Sequence, residues 1–155
     1  SDGGFIAYTN TSVKGNTQND IWILPMSGER KPMPFLQSGA NETSAQFSPD
    51  GHWIAYVSDE SGSNQVYIAP FPNAIGKWQV SRSGGSEPSW RGDGKEIFFL
   101  SPDNQLMAAA INANGSNLQV GNAETAGIAK AKPQVAIERA RAREIEFTPA
   151  FLAHD

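Results

Sequence analysis

Phe47-Ser-Pro-Asp-Gly51, followed by Trp53-Ile-Ala-Tyr56, is the stretch on which the fold turns, because it comes back. It recurs 43 residues later as Trp90-Arg-Gly-Asp-Gly94 followed by Glu96-Ile-Phe-Phe99, and 48 residues earlier as Ser1-Asp2-Gly3 followed by Phe5-Ile-Ala-Tyr8. Beyond each tetrad lies a second apolar segment: Asp20-Ile-Trp-Ile-Leu24, Gln65-Val-Tyr-Ile-Ala69 and Gln105-Leu-Met-Ala-Ala109. A period of ~40–45 residues, with short strands separated by turn residues, is the signature of propeller blades.

Each unit reads as a four-stranded antiparallel meander with strands A to D from the inside outward. In the middle unit, Ser44 to Phe47 form strand A, His52 to Ser58 strand B, Asn64 to Pro70 strand C and Trp78 to Ser81 strand D. Pro49 presets the φ of the A–B turn, Asp50 can accept from its own downstream backbone, and Gly51 tolerates positive φ. Ile54 and Tyr56 share one face of strand B, and Val66 and Ile68 one face of strand C. Trp53, Ala55 and Val57 make the opposite face of strand B apolar as well, as a sheet covered on both sides requires.

The fold class expected is therefore all-β, with three four-stranded blades. Their approximate extents are residues 1–38, 42–82 and 86–121, followed by a tail over 122–155. Asn114-Gly115 is a two-residue hairpin signal, which makes Leu118 to Val120 strand D of the third unit. From Gly121 to Arg143 the chain is alanine-rich, and either a short helix after Pro133 or a solvated extended arm fits it. Glu144 to Pro149 has the look of a fourth strand A, since Phe147-Thr-Pro149 matches Phe47-Ser-Pro49.

The run of an aromatic, Ser-Pro-Asp-Gly, Ile-Ala-Tyr, a glycine-containing loop and Val-Tyr-Ile resembles the TolB-like propeller repeat. Trp78-Gln-Val-Ser81, Gly84-Gly85 and Pro88-Ser-Trp90 are similar to its linker into the next blade. The resemblance spans residues 1–111, and Val13 to Gln18 look inserted in the first copy. It implies that the chain is part, or half, of a six-bladed ring, and that Phe47, Pro49, Asp50, Gly51, Tyr56, Tyr67, Trp90, Asp93, Gly94 and Phe99 serve the repeat structurally. It further implies a non-catalytic module for protein or peptide binding, the sensory or scaffolding part of a larger bacterial protein, in a periplasmic or other extracytoplasmic setting. The alternative is the gating propeller of a prolyl-oligopeptidase-like hydrolase whose catalytic domain is elsewhere.

Composition removes several other classes. A formal charge of −4 withholds the positive field that phosphate binding needs, so nucleic acid is not an expected partner. No apolar run approaches the ~20 residues of a spanning helix, so membrane insertion is not expected. With no cysteine, disulfides and thiolate metal sites are excluded.

Candidate chemistry is sparse, and neither a catalytic residue nor a cofactor is expected. Asp50 and Asp93 sit in Asp-Gly turns. His52 and His154 have no companion at metal-ligand spacing. Asp59-Glu-Ser-Gly-Ser-Asn64 is rich in oxygen but lacks the alternating acids of a calcium loop. No Gly-x-Ser-x-Gly elbow occurs. Arg139, Arg141 and Arg143 are offset by Glu138, Glu144 and Glu146. Function is left to the loops at one end of the blades, where Asn41, Glu42 and Thr43, Asp59 and Glu60, and Ser86 and Glu87 form a polar, acidic surface suited to a protein or basic-peptide partner. Bare faces at the two ends of an open arc would cost more than the ~5–15 kcal/mol a domain has to spare. Self-association or additional blades to close the ring are therefore expected.

Overall fold

The computed structural model describes residues 3–11 and 18–126 of the 155-residue chain. The described residues form strands and turns only, and none of them belongs to a helix that could cross a membrane. The strands are β1 (Phe5–Thr11), β2 (Asn19–Pro25), β3 (Met33–Leu36), β4 (Glu42–Phe47), β5 (Trp53–Ser58), β6 (Gln65–Pro70), β7 (Trp78–Gln79), β8 (Ser86–Trp90), β9 (Glu96–Leu100), β10 (Leu106–Asn114), β11 (Asn117–Val120) and β12 (Glu124–Thr125). They assemble into three antiparallel sheets: β1-β2-β3, β4-β5-β6-β7, and β8-β9-β10 with β11 and β12 on β10. These are the blade-like meanders that the repeat implies.

The A–B turns form for the reasons legible in the sequence. In the middle sheet the Gly51 amide donates to the Ser48 carbonyl at 3.0 Å, Gly51 takes φ +74°, and the His52 amide donates to Asp50 Oδ1 at 3.1 Å. In the third sheet Gly94 donates to the Arg91 carbonyl at 2.9 Å, with φ +73°, and the Lys95 amide donates to Asp93 Oδ1 at 3.0 Å. A further turn of this kind, Ser101-Pro-Asp-Asn104, joins β9 to β10: Asn104 donates to the Ser101 carbonyl at 2.9 Å and takes φ +60°. Asparagine is the non-glycine residue that best tolerates that conformation, so the motif was readable and was missed for want of a glycine.

The sheets stack face to face. Trp53, Ala55, Val57, Val66, Ile68 and Val80 of the middle sheet meet Trp90, Ile97, Phe99, Ala109, Ile111 and Leu118 of the third in one buried core. The other face of the middle sheet places Tyr56, Tyr67 and Ala69 against Ile21 of the first, with Phe35 and Leu36 at the margin. All six residues of β5 are buried, so its alternation disappears as a two-sided sheet demands. Tyr56 and Tyr67 stack at 5.8 Å, and Trp53 meets Trp78 edge to face at 5.4 Å.

Two expectations are corrected. Strand D of the third sheet is not Leu118 to Val120 alone. β10 runs four residues past Ala110, the position in register with Pro70 at the end of β6, and ends at Asn114; β11 pairs with that extension, Ile111 to Asn114. The segment in register with β7 is β12: Ala108 faces Glu124 and Met107 faces Thr125, as Ile68 faces Trp78 and Tyr67 faces Gln79. Between the two pairings, four steps along the outer chain oppose three along β10, from Val120 opposite Ile111 to Glu124 opposite Ala108. That bulge passes Gly121, whose added Cβ would stand 3.3 Å from Ala110 Cβ. Thus the start of the alanine-rich segment is strand, while residues 127–155, with the candidate fourth strand A and the arginine stripe, lie outside the described residues, as do residues 12–17 of the inserted loop.

The second correction concerns the far face of the third sheet. It was expected to be bare, yet Phe98, Leu100, Leu106 and Ala108 are 2%, 5%, 8% and 8% exposed. On the first sheet Ile6 and Met33, each 45% exposed, do keep apolar surface in solvent.

Removal of the indole at the junction of the middle and third sheets tests this packing. Trp90 is 7% exposed and its Nε1 donates to the Gln46 carbonyl at 3.1 Å. Trp90→Ala is expected to destabilise by ~3–5 kcal/mol in urea melts, whereas an exposed change such as Ser83→Ala stays within about 0.5 kcal/mol.

Candidate functional site

Meandering strands put the A–B turns at one end of each sheet and the D–A linkers and B–C turns at the other. The loop residues singled out in the sequence lie at the second end. Their linkers are held tightly. Gly84, at φ +94°, passes so close to the next sheet that an added Cβ would stand 2.5 Å from Pro102 Cγ. The added Cβ of Gly85 would meet Ser81 Oγ at 2.8 Å. The glycine pair is therefore a packing requirement. Gln65 Oε1 secures the same linker, accepting from Ser81 Oγ and from the Gly84 amide at 3.1 Å.

Much of the acidic surface is consumed internally. Asn41 donates from its amide to Asp59 Oδ1 and from Nδ2 to Asp59 Oδ2, each at 2.8 Å, and accepts from Asn19 Nδ2 at 3.0 Å. These bonds tie the first sheet, the linker and the Asp59 turn together, and the bonds from Asn41 hold the Asp59 carboxyl below its ordinary range. Glu60 is paired with Lys77, which lies 5.4 Å from the centre of the Tyr67 ring. Glu42 is only 3% exposed, with Oε1 accepting from Ser38 Oγ and Oε2 without a partner. Asp20 is wholly buried nearby, with Oδ2 accepting from Gln37 Nε2 at 3.3 Å and Oδ1 unpartnered.

Thr43 and Ser86 remain half-buried at the inner strands, and beside them the geometry departs from that of a regular strand. Three steps on β4, Thr43 to Gln46, face two on β5, Val57 to Ala55; three on β8, Ser86 to Ser89, face two on β9, Leu100 to Phe98. The extra residue takes positive φ in both sheets: Ser44 at +57° and Glu87 at +50°. Neither is glycine, both are exposed, and each such residue costs about 1–3 kcal/mol. Sequence reasoning reached Glu87 through its charge but passed over Ser44, because nothing local to Thr-Ser-Ala announces a bulge.

The structural residues are placed in the cores and turns. Tyr56, Tyr67, Trp90 and Phe99 are buried between sheets, and Phe47 meets Phe71 edge to face at 5.0 Å. Pro49, Asp50 and Gly51, with Asp93 and Gly94, lie at the A–B turns.

One constellation there resembles a hydrolytic triad in composition. Ser48 Oγ donates to Asp50 Oδ1, and His52 Nδ1 lies 3.3 Å from Asp50 Oδ2. The carboxylate sits between the other two, so the serine proton is committed to it, and the serine oxygen accepts the Trp53 amide at 3.0 Å. A triad needs the imidazole between hydroxyl and carboxylate, and this order activates no nucleophile. Among the described residues, no three His, Asp or Glu side chains converge as metal ligands.

No family model matches the chain. Solved structures do. A protein assigned as TolB from Agrobacterium tumefaciens superposes with a TM-score of 0.59 at 16% identity, over 80% of this chain and 47% of that one. TolB from Acinetobacter baumannii gives 0.57 at 24% identity, over 77% and 30%. A protein assigned as a 6-phosphogluconolactonase from Bacteroides uniformis gives 0.50 at 16%, over 80% and 42%. The chain is a set of β-propeller blades. Its fold is the TolB-like propeller fold, and it spans less than half the length of each of these structures.

Glu42 supplies a pH test of the junction between the first and middle sheets. Burial, opposed by the Ser38 bond and reinforced by Asp20, Glu60 and Asp59, raises its carboxyl above the ordinary value. A raised acid binds its proton more tightly folded than unfolded. Its contribution is fully present below the unfolded value and is lost as pH rises through the folded one. Glu42→Gln is expected to be more stable than the parent at pH 7, with the difference closing toward pH 4, in urea melts across that range.

Proposed function

We propose that this chain is a non-catalytic docking module that binds a basic segment of a partner protein at the linker end of its blades, on the surface formed by Thr43, Ser44, Ser86 and Glu87. The observation that carries this reading is the pair of positive-φ, non-glycine residues at the same bulge of two successive inner strands. Glycine would relieve the strain at either position, and strained backbone is concentrated where a site needs it. Both residues belong to the inner strands, the part of a propeller that borders its channel, and loops on such a rigid frame are where binding residues gather. Glu87 gives the surface its negative charge, since Asp59 and Glu60 are already engaged. The likeness to TolB structures supports a binding module at the level of fold.

The finer part of the proposal is that the three sheets act within a larger ring, completed by further blades or by a second copy. Its support is the first sheet, which among the described residues has three strands where the others have an inner fourth, and the exposed Ile6 and Met33. Light scattering at micromolar concentration is expected to give a dimer or larger species; a cooperative, freely soluble monomer would overturn it.

Fluorescence anisotropy with labelled hexapeptides carrying lysine at alternate positions tests the binding surface. Glu87→Gly is expected to weaken binding about tenfold while leaving stability unchanged or raised by up to ~1 kcal/mol. Unaltered binding, or a loss of stability that accounts for the loss of binding, would remove the surface from consideration.

A further inference from the structure

The geometry points to a carboxylate-binding site at the junction of the middle and third sheets, which takes a carboxylate carried on an apolar stem. A cavity of about 380 Å³ opens there, lined by Arg82, Ser83, Gly84, Phe99, Ser101, Met107, Asn122 and Ala123. Its lining is part polar and part apolar. Arg82, Ser83 and Asn122 are exposed, and none has a hydrogen-bond or ion-pair partner among the described residues. Lys31, Lys77 and Arg91, by contrast, are each paired with a carboxylate of this chain. Phe99 is buried, and Met107 and Ala123 pack beside it against the inter-sheet core.

A guanidinium is a planar fork that meets a carboxylate through two parallel bonds. Ser83 adds a hydroxyl donor and Asn122 an amide donor. Phe99, Met107 and Ala123 offer the stem an apolar wall, which a bare inorganic anion could not use. The walls are held by the fold: the linker carrying Arg82 and Ser83 is tied by the Gly84 amide to Gln65 Oε1 and runs too close to Pro102 for a side chain at Gly84, and Asn122 and Ala123 sit in the bulge between β11 and β12. A preformed pocket that combines apolar side chains with a few polar groups is the usual build of a small-ligand site. The site is independent of the Ser44 and Glu87 surface and of the sign of charge bound there.

Two sources present this chemistry, a peptide C-terminus and a free small acid. N-acetylphenylalanine and 3-phenylpropionate represent them, each compared with its carboxamide by amide proton–nitrogen correlation spectra of the full chain. Both acids, or one of them, are expected to shift the resonances of Ser83 and Asn122 while the carboxamides do not; which acid binds more tightly identifies the source. Arg82→Gln should weaken the acid at least tenfold, Arg82→Lys should recover part of the loss, and Lys95→Gln, which alters the cation of a separate groove lined by Trp53, Trp90 and Ile111, should change nothing. The melting temperature of Arg82→Gln should match the parent. Equal shifts from acid and carboxamide, no shift from either, equal displacement by inorganic phosphate, or equal loss in Lys95→Gln would each overturn the assignment.

Discussion

Burial of both faces of the middle sheet is the constraint on which everything else rests. All six residues of β5 are buried, with Trp53, Ala55 and Val57 in one core and Tyr56 in the other, and five of the six in β6 are buried, with Val66 and Ile68 in the first core and Tyr67 and Ala69 in the second. Apolar area is worth about 25 cal/mol per Å² removed from water, so a strand with two apolar faces is stable only between two other sheets. Neighbouring sheets must then approach closely along their whole length. That approach leaves no room for a side chain at Gly84, and it brings the Trp90 indole within bonding distance of the Gln46 carbonyl.

The same closeness governs the electrostatics of the linker end. Linkers pressed between sheets bring Asn41 onto Asp59 and Gln37 onto Asp20, and they bury Glu42 where water cannot solvate it. Groups that read as a solvated acidic fringe become structural fasteners or buried acids. What stays open to solvent is smaller: two strained bulge residues, and a cavity with an arginine that has no partner among the described residues.

The third sheet is a variation that the repeat tolerates because its outer edge is least constrained. β10 overshoots its counterparts, the hairpin at Gly115 returns the chain as β11, and a bulge at Gly121 restores the common register in time for β12. The Ala126 amide then donates to the Leu106 carbonyl at 2.8 Å, just as Val80 donates to Val66 at 2.8 Å in the middle sheet. A middle strand such as β5, paired on both sides, could not absorb such an insertion as readily, since both its neighbours fix its register.

Turn chemistry, strand order and the two-sided cores were legible in the sequence, because each is local or is repeated: Pro49, Asp50 and Gly51 act within four residues, and a second copy at Asp93 and Gly94 exposes the period. The fate of the loop side chains was not. Whether Asp59 meets solvent or Asn41, and Glu60 solvent or Lys77, depends on residues 18 and 17 positions away that only the packed sheets bring together. The positive φ of Ser44 and Glu87 likewise follows from matching an inner strand to a partner one residue shorter, a length difference fixed by pairing and not by the residues themselves. Sequence determined the blades; the contacts between them decided which polar groups remained to bind anything else.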